Sequence, residues 1–346
     1  MISVVYRLTA PGMIEAACQE LDMKSGQVLL RPKYLSICKA DQRYYQGNRS
    51  PEALKAKLPM ALIHECAAEV VSDPTGAFEP GAFVVPCPNI PTQQDEFIAE
   101  NYLTSSKFRS SGYDGFLQEY VLCDPGRIVR APKAANARPE VSAFLELVSV
   151  AMHTIDRFER FAHGRRERLG VWGDGTLGYI MALLLRALYP RCELIVLGTI
   201  WEKLAYFSFA DRRVNVGQVR LRAGETLCDH AFECVGDMGC RPAINQMIDL
   251  VAPEGTLALL GVSENFVELN TRMILEKGLR LYGSSRSGVE DFDRAARLLD
   301  EKPWIGQTLA RLISDVVPVR SVADIHSAFR LDVQQSFGKT VMAFDA

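Results

Sequence analysis

The pattern of hydrophobic and polar positions changes near residue 140. Before that point, apolar residues fall in short or alternating runs such as QVLLRPKYLSI and AFVVPCP, and Pro and Gly interrupt them at Pro11-Gly12 and Pro80-Gly81. Runs of this kind predict an irregular, mostly antiparallel β domain. The polar segment from Ile90 to Ser111 predicts a loop with a helical piece.

After residue 140, segments of strand and helix pattern alternate. The strand patterns are RLGVW, ELIVLG, HAFECVG, TLALLG and LRLYGSS, and helical patterns such as EKLAYFSFA and RPAINQMIDLV lie between them. This alternation predicts βαβ units and a parallel sheet, so we expect an α/β fold.

Length and composition narrow the class of protein. The 346 residues suggest about two domains, and 39 basic against 42 acidic side chains give a net charge of −3. That balance disfavours a nucleic-acid or anionic-membrane partner. No apolar run approaches the ~20 residues that span a bilayer, and the N-terminus lacks a signal-peptide pattern. Nine Cys without any CxxC pair predict reduced thiols and a cytoplasmic protein.

A glycine motif follows the strand RLGVW. Gly173, Gly175 and Gly178 form GxGxxG between this strand and a helical pattern, with Thr176 and Leu177 inside the motif. The three glycines allow a tight turn, a close backbone approach to pyrophosphate and close helix–strand packing. We expect a dinucleotide here; a glycine-rich turn without ligand is the alternative.

The end of the next strand predicts which dinucleotide binds. An NAD site places Asp or Glu there for the ribose 2′-hydroxyl, whereas ELIVLG ends at Gly198-Thr199 and no carboxylate follows until Glu202. With Thr199 and Lys203 as donors, this end predicts a preference for NADP. Alternatively, Lys203 is a surface residue and only backbone meets the 2′ group.

Potential metal ligands precede the glycine motif. They are Cys38 in SICKADQRYY, His64 and Glu65 in LIHECAAEV, and Glu146 in FLELVSV. Thiolate, imidazole and carboxylate all bind zinc, and this mixed set leaves room for water or substrate on the metal. Each residue alone also fits a structural role, but their order before a dinucleotide motif favours a catalytic zinc site.

These motifs resemble a known family. Cys38-x-x-Asp41, the His-Glu pair about 25 residues later, DGFLQEYVL and the central GxGxxG are similar to the zinc-dependent medium-chain dehydrogenase/reductases over essentially the whole chain. The resemblance implies a GroES-like irregular β catalytic domain at 1–140 and 287–346. It implies a Rossmann doubly wound parallel-sheet domain for NADP at 141–286.

The resemblance also implies roles for individual residues. The polyol dehydrogenase branch surrounds its zinc with Cys, His-Glu and a later Glu, which match the four residues above. Landmarks in HAFECVG, GTLALLGVS and YGSSRSG imply further cofactor contacts at Cys234, Val235, Gly236, Gly261 and Ser284.

Two departures from the family change the expectation. Only Cys87 and Cys123 lie in the segment 87–123, so a four-Cys structural zinc lobe is absent and we expect one zinc per chain. Ala40 stands where the family carries a Ser or Thr that relays a proton. Tyr44, Glu65 or metal-bound water must then carry the proton.

Segments such as RPKYLSICKADQRYYQGNR, IAENYLTSSKFRSSGYDGF and AINQMIDLVAPEG resemble bacterial ribulose-5-phosphate reductases. The resemblance implies NADPH-dependent reduction of D-ribulose 5-phosphate to D-ribitol 5-phosphate, with zinc polarising the C2 carbonyl. A ribitol-5-phosphate cytidylyltransferase would then form CDP-ribitol for teichoic acid or capsule. Alternatives are a zinc polyol dehydrogenase for another free or phosphorylated polyol, and a non-catalytic NADP-binding protein on the same fold.

The substrate phosphate and the assembly give two last expectations. A charge near −2 must be met by local groups, for which Arg43, Lys107 and Arg109 are the candidates; solvated loop charges are the alternative. TLALLG and LRLYGSS come late in the parallel sheet, and an uncovered edge strand there predicts a homodimer.

Overall fold

The structure, a computed structural model, describes residues 1–24, 26–135, 137–218 and 225–344. The chain divides into two compact units, of which one is Met1–Ser149 with Arg286–Ala346 and the other is Val150–Ser285. None of the helices within the described residues is long and apolar enough to cross a membrane.

The first unit opens with short strands, as the interrupted apolar runs predict. They are β1 (Ile2–Ala10), β2 (Met13–Glu20), β3 (Val28–Ser36), β4 (Met60–Ala61), β5 (Glu65–Ser72), β6 (Phe83–Pro86), β7 (Asn89–Ile90), β8 (Lys107–Phe108), β9 (Val121–Cys123) and β10 (Ile128–Arg130). The helices of this part are α1 (Lys39–Tyr45), α2 (Pro51–Lys57) and α3 (Leu145–Phe161), which continues into the second unit.

The second unit alternates strands and helices. Its strands are β11 (Arg168–Trp172), β12 (Glu193–Gly198), β13 (Arg212–Asn215), β14 (His230–Glu233), β15 (Thr256–Leu259) and β16 (Arg280–Gly283). Its helices are α4 (Thr176–Leu188), α5 (Trp201–Leu204), α6 (Cys240–Leu250) and α7 (Thr271–Lys277).

The chain then returns to the first unit. It adds α8 (Val289–Glu301), α9 (Pro303–Leu309), β17 (Ile313–Val319), α10 (Val322–Gln334) and β18 (Lys339–Phe344). The strands of this unit form a three-stranded sheet β2-β1-β4, a larger sheet β10-β6-β5-β3-β18-β17 with β9 also paired to β3, and the small pair β7-β8. Apart from the parallel pair β17-β18, the pairs are antiparallel.

The sheet of the second unit is entirely parallel, in the order β13-β12-β11-β14-β15-β16. This is the doubly wound order of a Rossmann fold, and the predicted α/β fold is confirmed. Strands buried on both faces read as continuous apolar runs, as LIVL in β12 shows. Of the two late strands expected at an edge, only β16 lies there, because β16 covers β15.

One predicted helix is shorter than its sequence pattern. EKLAYFSFA predicts a helix, but α5 ends at Leu204. Phe207 and Phe209 turn instead towards Tyr179 of α4, with ring centroids 5.1 and 5.2 Å from the tyrosine ring. Aromatic packing on α4 therefore overrides local helical propensity in this segment.

Candidate metal and cofactor sites

Three predicted metal ligands meet at one point of the first unit. Cys38 precedes α1, and His64 and Glu65 stand at the start of β5; one ligand atom from each lies within 4.8 Å of the others. Within the described ranges, this is the one group of three or more His, Cys, Asp and Glu side chains that could hold a metal ion. Glu65 is fully buried and its Oε2 has no hydrogen-bond partner, which fits a cation bound there.

A buried lysine contacts the same cluster. The Lys339 ammonium, on β18, donates to Glu65 Oε1 in an ion pair. The second oxygen of Glu65 therefore stays available to a metal. Lys339 is far from Glu65 in sequence, and no motif marks it, so sequence analysis missed it.

The buried carboxylate of Asp41 lies next to this cluster and is hydrogen-bonded to the segments that carry its residues. Its carboxylate accepts hydrogen bonds from the Cys38 N–H (3.1 Å), the Ile63 N–H (2.9 Å) and the Ser110 hydroxyl (2.6 Å). Burial opposes ionisation, but the His64 charge and these hydrogen bonds lower the pKa of Asp41. Asp41 Oδ2 lies 3.7 Å from His64 Nδ1, which leaves Nε2 of the ring for a metal.

Glu146, the fourth predicted ligand, lies beside the cluster rather than within it. It is buried in the first turn of α3 and is not among the three residues whose ligand atoms lie within 4.8 Å. Burial, together with the nearby charge of Glu65, raises the pKa of Glu146 to about 7. A cation in the cluster would compensate this buried carboxyl group.

Tyr44, a predicted proton carrier, is buried on α1. Its ring lies 5.0 Å from Arg49 Cζ and 5.7 Å from Lys57 Nζ. The two cations give the phenol a positive environment on a helix that begins next to Cys38.

The predicted phosphate ligands differ in their surroundings. Arg43 is half-buried in the last turn of α1, and Lys107 is exposed, with Nζ 5.7 Å from the Tyr113 ring. Arg109 is 5% exposed and donates to the carbonyls of Asp114 and Leu122, each at 3.1 Å. Its guanidinium therefore supports the loop, and a role for Arg109 in binding phosphate stays a prediction.

The glycine loop has the shape that a dinucleotide needs. Gly173 has φ 133°, and a Cβ there would lie 2.8 Å from the Cys234 carbonyl oxygen. A Cβ at Gly178 would lie 2.1 Å from the Gly173 oxygen, whereas nothing lies within 4 Å of one at Gly175. Gly175 precedes α4, so an anion can approach the free N–H groups of the helix at that point.

A buried carboxylate holds the neighbouring cofactor landmarks together. Glu233, at the end of β14, accepts hydrogen bonds from the N–H groups of Val235 (2.7 Å), Gly236 (3.0 Å) and Gly261 (2.8 Å). Cys234 lies between them and contacts the first glycine of the motif. Sequence analysis missed Glu233, although its place at the end of a buried strand was a possible signal.

A second carboxylate contacts the residues that follow β12. Asp174, inside the glycine motif, accepts hydrogen bonds from the N–H groups of Thr199 (2.7 Å) and Ile200 (2.9 Å). A Cβ at Gly198 would lie 2.5 Å from the Cβ of Asp174. Lys203 is half-buried on α5, one turn beyond Thr199.

Every predicted cofactor residue lies beyond the carboxyl end of a parallel strand or, for Lys203, on the short helix after it. Ser284 follows β16, and its hydroxyl is 2.8 Å from that of Thr154. Open α/β sheets bind ligands at this edge. Of the residues expected there, Thr176 and Leu177 begin α4 directly.

Comparison with known families agrees with this architecture. The family model "Alcohol dehydrogenase GroES-like domain" matches residues 24–133, and the model "Zinc-binding dehydrogenase" matches residues 181–301. The chain belongs to the zinc-binding alcohol dehydrogenases. The predicted GroES-like and Rossmann domain types, and the prediction of an oxidoreductase of this family, are confirmed.

Individual relatives match along the entire chain. The ribulose-5-phosphate reductase of Bacillus spizizenii is 48% identical over 345 residues, and the alignment covers 100% of both chains. Ribulose-5-phosphate reductase 2 of Staphylococcus aureus is also 48% identical, over 99% of both chains. The crystal structure of S. aureus TarJ in complex with NADPH superposes with a TM-score of 0.88 at 43% identity, covering 100% of both chains.

Proposed function

We propose that this chain reduces D-ribulose 5-phosphate to D-ribitol 5-phosphate with NADPH and one zinc ion. The observation that carries the proposal is the Cys38–His64–Glu65 cluster, in which Cys38 is half-buried and the other two residues are buried. It occurs in a chain that is 48% identical, from end to end, to ribulose-5-phosphate reductases. The donor set suits a catalytic zinc because thiolate, imidazole and carboxylate together bind it without closing the site.

In this proposal, Cys38, His64 and Glu65 hold the zinc and Glu146 lies alongside. The bound ion would polarise the C2 carbonyl of the substrate as a Lewis acid. The Asp41 carboxylate lies 3.7 Å from Nδ1 of the His64 ring, and Lys339 donates to one oxygen of Glu65. These two supporting groups leave one ring nitrogen and one carboxylate oxygen directed to the ion.

The second unit binds the cofactor in this proposal, and NADPH supplies the hydride. The glycine motif and the start of α4 receive the pyrophosphate. The Thr199 hydroxyl and Lys203 receive the 2′-phosphate. Asp174 accepts two main-chain N–H groups there, and its Oδ2 lies 3.5 Å from the Thr199 hydroxyl.

The proton for the product oxygen comes from Tyr44, Glu65 or water, since Ala40 has no hydroxyl. Tyr44→Phe distinguishes the tyrosine from the other two. If Tyr44 donates, the variant loses about a hundredfold in kcat at pH 7 and keeps its zinc content. An unchanged kcat and pH profile excludes Tyr44 as the donor.

The experiment that tests the proposed function is a substrate comparison. Purified zinc-loaded protein is mixed with NADPH and either ribulose 5-phosphate, xylulose 5-phosphate or unphosphorylated ribulose. We expect the highest kcat/KM with ribulose 5-phosphate and ribitol 5-phosphate as product. Faster reduction of a free ketose would contradict the proposal and favour a general polyol dehydrogenase. A protein that binds NADPH and zinc but reduces none of them would be a binding protein.

We further propose a cytoplasmic pathway in which a ribitol-5-phosphate cytidylyltransferase converts the product to CDP-ribitol for teichoic acid or capsule. A coupled assay with CTP and the cytidylyltransferase should form CDP-ribitol only when this chain, NADPH and ribulose 5-phosphate are present. Formation without this chain would contradict the coupling.

We also propose a homodimer joined along the edge strand β16 (Arg280–Gly283) of the parallel sheet. The main-chain groups on the free side of an edge strand can pair with a symmetry mate. Light scattering at micromolar concentration should give twice the chain mass of 38.4 kDa. A monomeric mass would contradict this assembly.

A further inference from the structure

Arg286 occupies a constrained turn of the first unit. Its φ is 58°, a left-handed conformation that is uncommon for residues other than glycine and clusters at functional sites. The following residues fix the turn: the Ser287 hydroxyl is 2.7 Å from that of Ser149, and the Gly288 N–H donates to Asp291 Oδ2 at 2.9 Å. The backbone therefore holds Arg286 in a defined position at the start of α8.

The guanidinium of Arg286 has no counter-charge among the residues that the structure describes. It is half-buried, and its Cζ lies 4.8 Å from the centroid of the Phe108 ring. Among the described residues, no carboxylate forms an ion pair or hydrogen bond with it. Glu100, which reaches this turn through the Val289 N–H, is already paired with Arg127 at 2.6 and 2.8 Å. Burial lowers the pKa of Arg286, as expected for a partly desolvated charge that lacks a partner.

Phe108 links this arginine to the candidate metal site. The centroid of its ring lies 5.5 Å from that of His64. The distance from Arg286 Cζ to the centroid of the His64 ring therefore cannot exceed the sum of these two distances, which both end at the Phe108 ring. A ketopentose 5-phosphate carries its phosphate ester three carbons away from the carbonyl carbon. A substrate with its carbonyl at the metal cluster can thus direct its phosphate towards Arg286.

A second polar group lies on the same face. Asn89 is fully buried, and neither its Oδ1 nor its Nδ2 has a hydrogen-bond partner. Asn89 pairs directly with Phe108 in the antiparallel β7-β8 ladder, so the two side chains point to the same face. A buried amide without partners is destabilising unless a ligand uses it, and its donor and acceptor suit sugar hydroxyls.

We propose that Arg286 binds the phosphate of the substrate and that Asn89 binds hydroxyls of its carbon chain. The proposal rests on the proposed function, since the phosphate is that of the ketopentose 5-phosphate. The planar fork of Arg286 can donate two parallel hydrogen bonds to one phosphate, whereas Arg109 donates to main-chain carbonyls.

The test of Arg286 compares phosphorylated and free substrate. Arg286→Gln should raise KM for ribulose 5-phosphate about tenfold to a hundredfold, because a charge-assisted contact is lost. KM for unphosphorylated ribulose and Kd for NADPH should not change, and Arg286→Lys should restore part of the loss. The matched control is Arg130→Gln, which removes an exposed arginine from the Phe78 ring (Cζ to centroid 5.3 Å) and should leave KM unchanged.

The outcomes separate this proposal from the proposed function. If the wild type reduces ribulose 5-phosphate but Arg286→Gln keeps its KM, the assignment of Arg286 is overturned and the proposed function stands. The assignment is equally overturned if KM rises by the same factor for free ribulose. A wild type that does not reduce ribulose 5-phosphate overturns both.

Asn89→Leu provides an independent check. Because no protein hydrogen bond is lost, the variant should be at least as stable to urea as the wild type. Its KM should still rise about tenfold for both ribulose 5-phosphate and free ribulose, since both present the same hydroxyls. A destabilised variant with an unchanged KM would show that Asn89 has only a structural role.

Discussion

The candidate sites of the two units contain carboxylates with different hydrogen bonding. In the second unit, Glu233 and Asp174 accept main-chain N–H groups, so the loops expected to bind the cofactor are fixed before a ligand arrives. In the first unit, Glu65 Oε2 and the Asn89 amide are buried without hydrogen-bond partners. The site of the second unit therefore has loops that are fixed by internal hydrogen bonds. The site of the first unit has side-chain atoms that can still bond to a ligand.

The difference indicates how substitutions should act in each unit. Removing an unsatisfied group should weaken ligand binding and leave stability nearly unchanged, because no protein hydrogen bond is lost. Removing a carboxylate that already accepts several hydrogen bonds should lower stability first, since main-chain donors are left buried without acceptors.

The largest effect is expected at the metal cluster. Cys38→Ala removes the thiolate ligand, so it should lose zinc and reduce kcat/KM for ribulose 5-phosphate by about a thousandfold or more. Cys18→Ala, at an exposed thiol on β2, is the matched control. Metal analysis and NADPH oxidation check the prediction. Full turnover by a zinc-free Cys38→Ala protein would show that this cluster is not the catalytic centre.

The next prediction concerns Glu233, whose carboxylate is hydrogen-bonded to main-chain N–H groups in the second unit. Glu233→Gln keeps one acceptor oxygen for the Val235 and Gly236 N–H groups but places an amide NH2 against the Gly261 N–H and removes the charge. The free energy of unfolding should therefore fall by about 3 kcal/mol. Glu202→Gln, at an exposed carboxylate of the same unit, should stay within about 0.5 kcal/mol of the wild type. Urea unfolding measures both. Equal stability of the two variants would contradict the claim that the hydrogen bonds of Glu233 stabilise the second unit.

A pH effect is expected from His230 in the same unit. Burial and the neighbouring His163 lower the pKa of His230 to about 4, and its ring accepts from the Thr256 N–H at 3.1 Å. The unfolded state, with a pKa near 6.5, binds the proton first as pH falls. Stability that is present at pH 7 is therefore lost between pH 6.5 and 4, by about 2 kcal/mol at pH 5.

Urea unfolding at pH 7 and pH 5 measures this loss, and Trp172 and Trp201 of the second unit contribute to the fluorescence signal. His230→Gln has no ring to protonate, so its stability should depend less on pH over the same interval. A variant with the same pH dependence as the wild type would assign the loss to other groups.

The smallest effect concerns cofactor choice. Lys203→Ala should raise KM for NADPH about tenfold without changing KM for NADH, because only the former carries the 2′-phosphate. Arg191→Ala removes an exposed charge from the same unit as a control. Gly198→Asp is a poorer test, because its Cβ would meet Asp174. A wild type equally efficient with both cofactors would contradict the role of Lys203.

Local sequence patterns predict much of this molecule. Apolar runs and glycine spacing predict the parallel sheet and the loop at Gly173, since both depend on residues that are close in the chain. The same holds for Cys38 and the His64-Glu65 pair, which occur in short motifs.

The remaining features depend on contacts between distant segments. Lys339 reaches Glu65, and Arg286 reaches Phe108, only through tertiary packing. Arg109 lies in a segment that the sequence predicts to bind the substrate phosphate, but its guanidinium donates to the carbonyls of Asp114 and Leu122. Sequence proximity alone does not predict the direction of a side chain.

The most direct measurement of the central claim is a zinc titration of the active protein. The chain is stripped with a chelator, and NADPH oxidation with ribulose 5-phosphate is recorded as zinc is added back. We predict no measurable turnover without metal and a rise that ends at one zinc per chain, with ribitol 5-phosphate as product. Undiminished turnover in the stripped protein, or no turnover at any zinc content, would contradict the account.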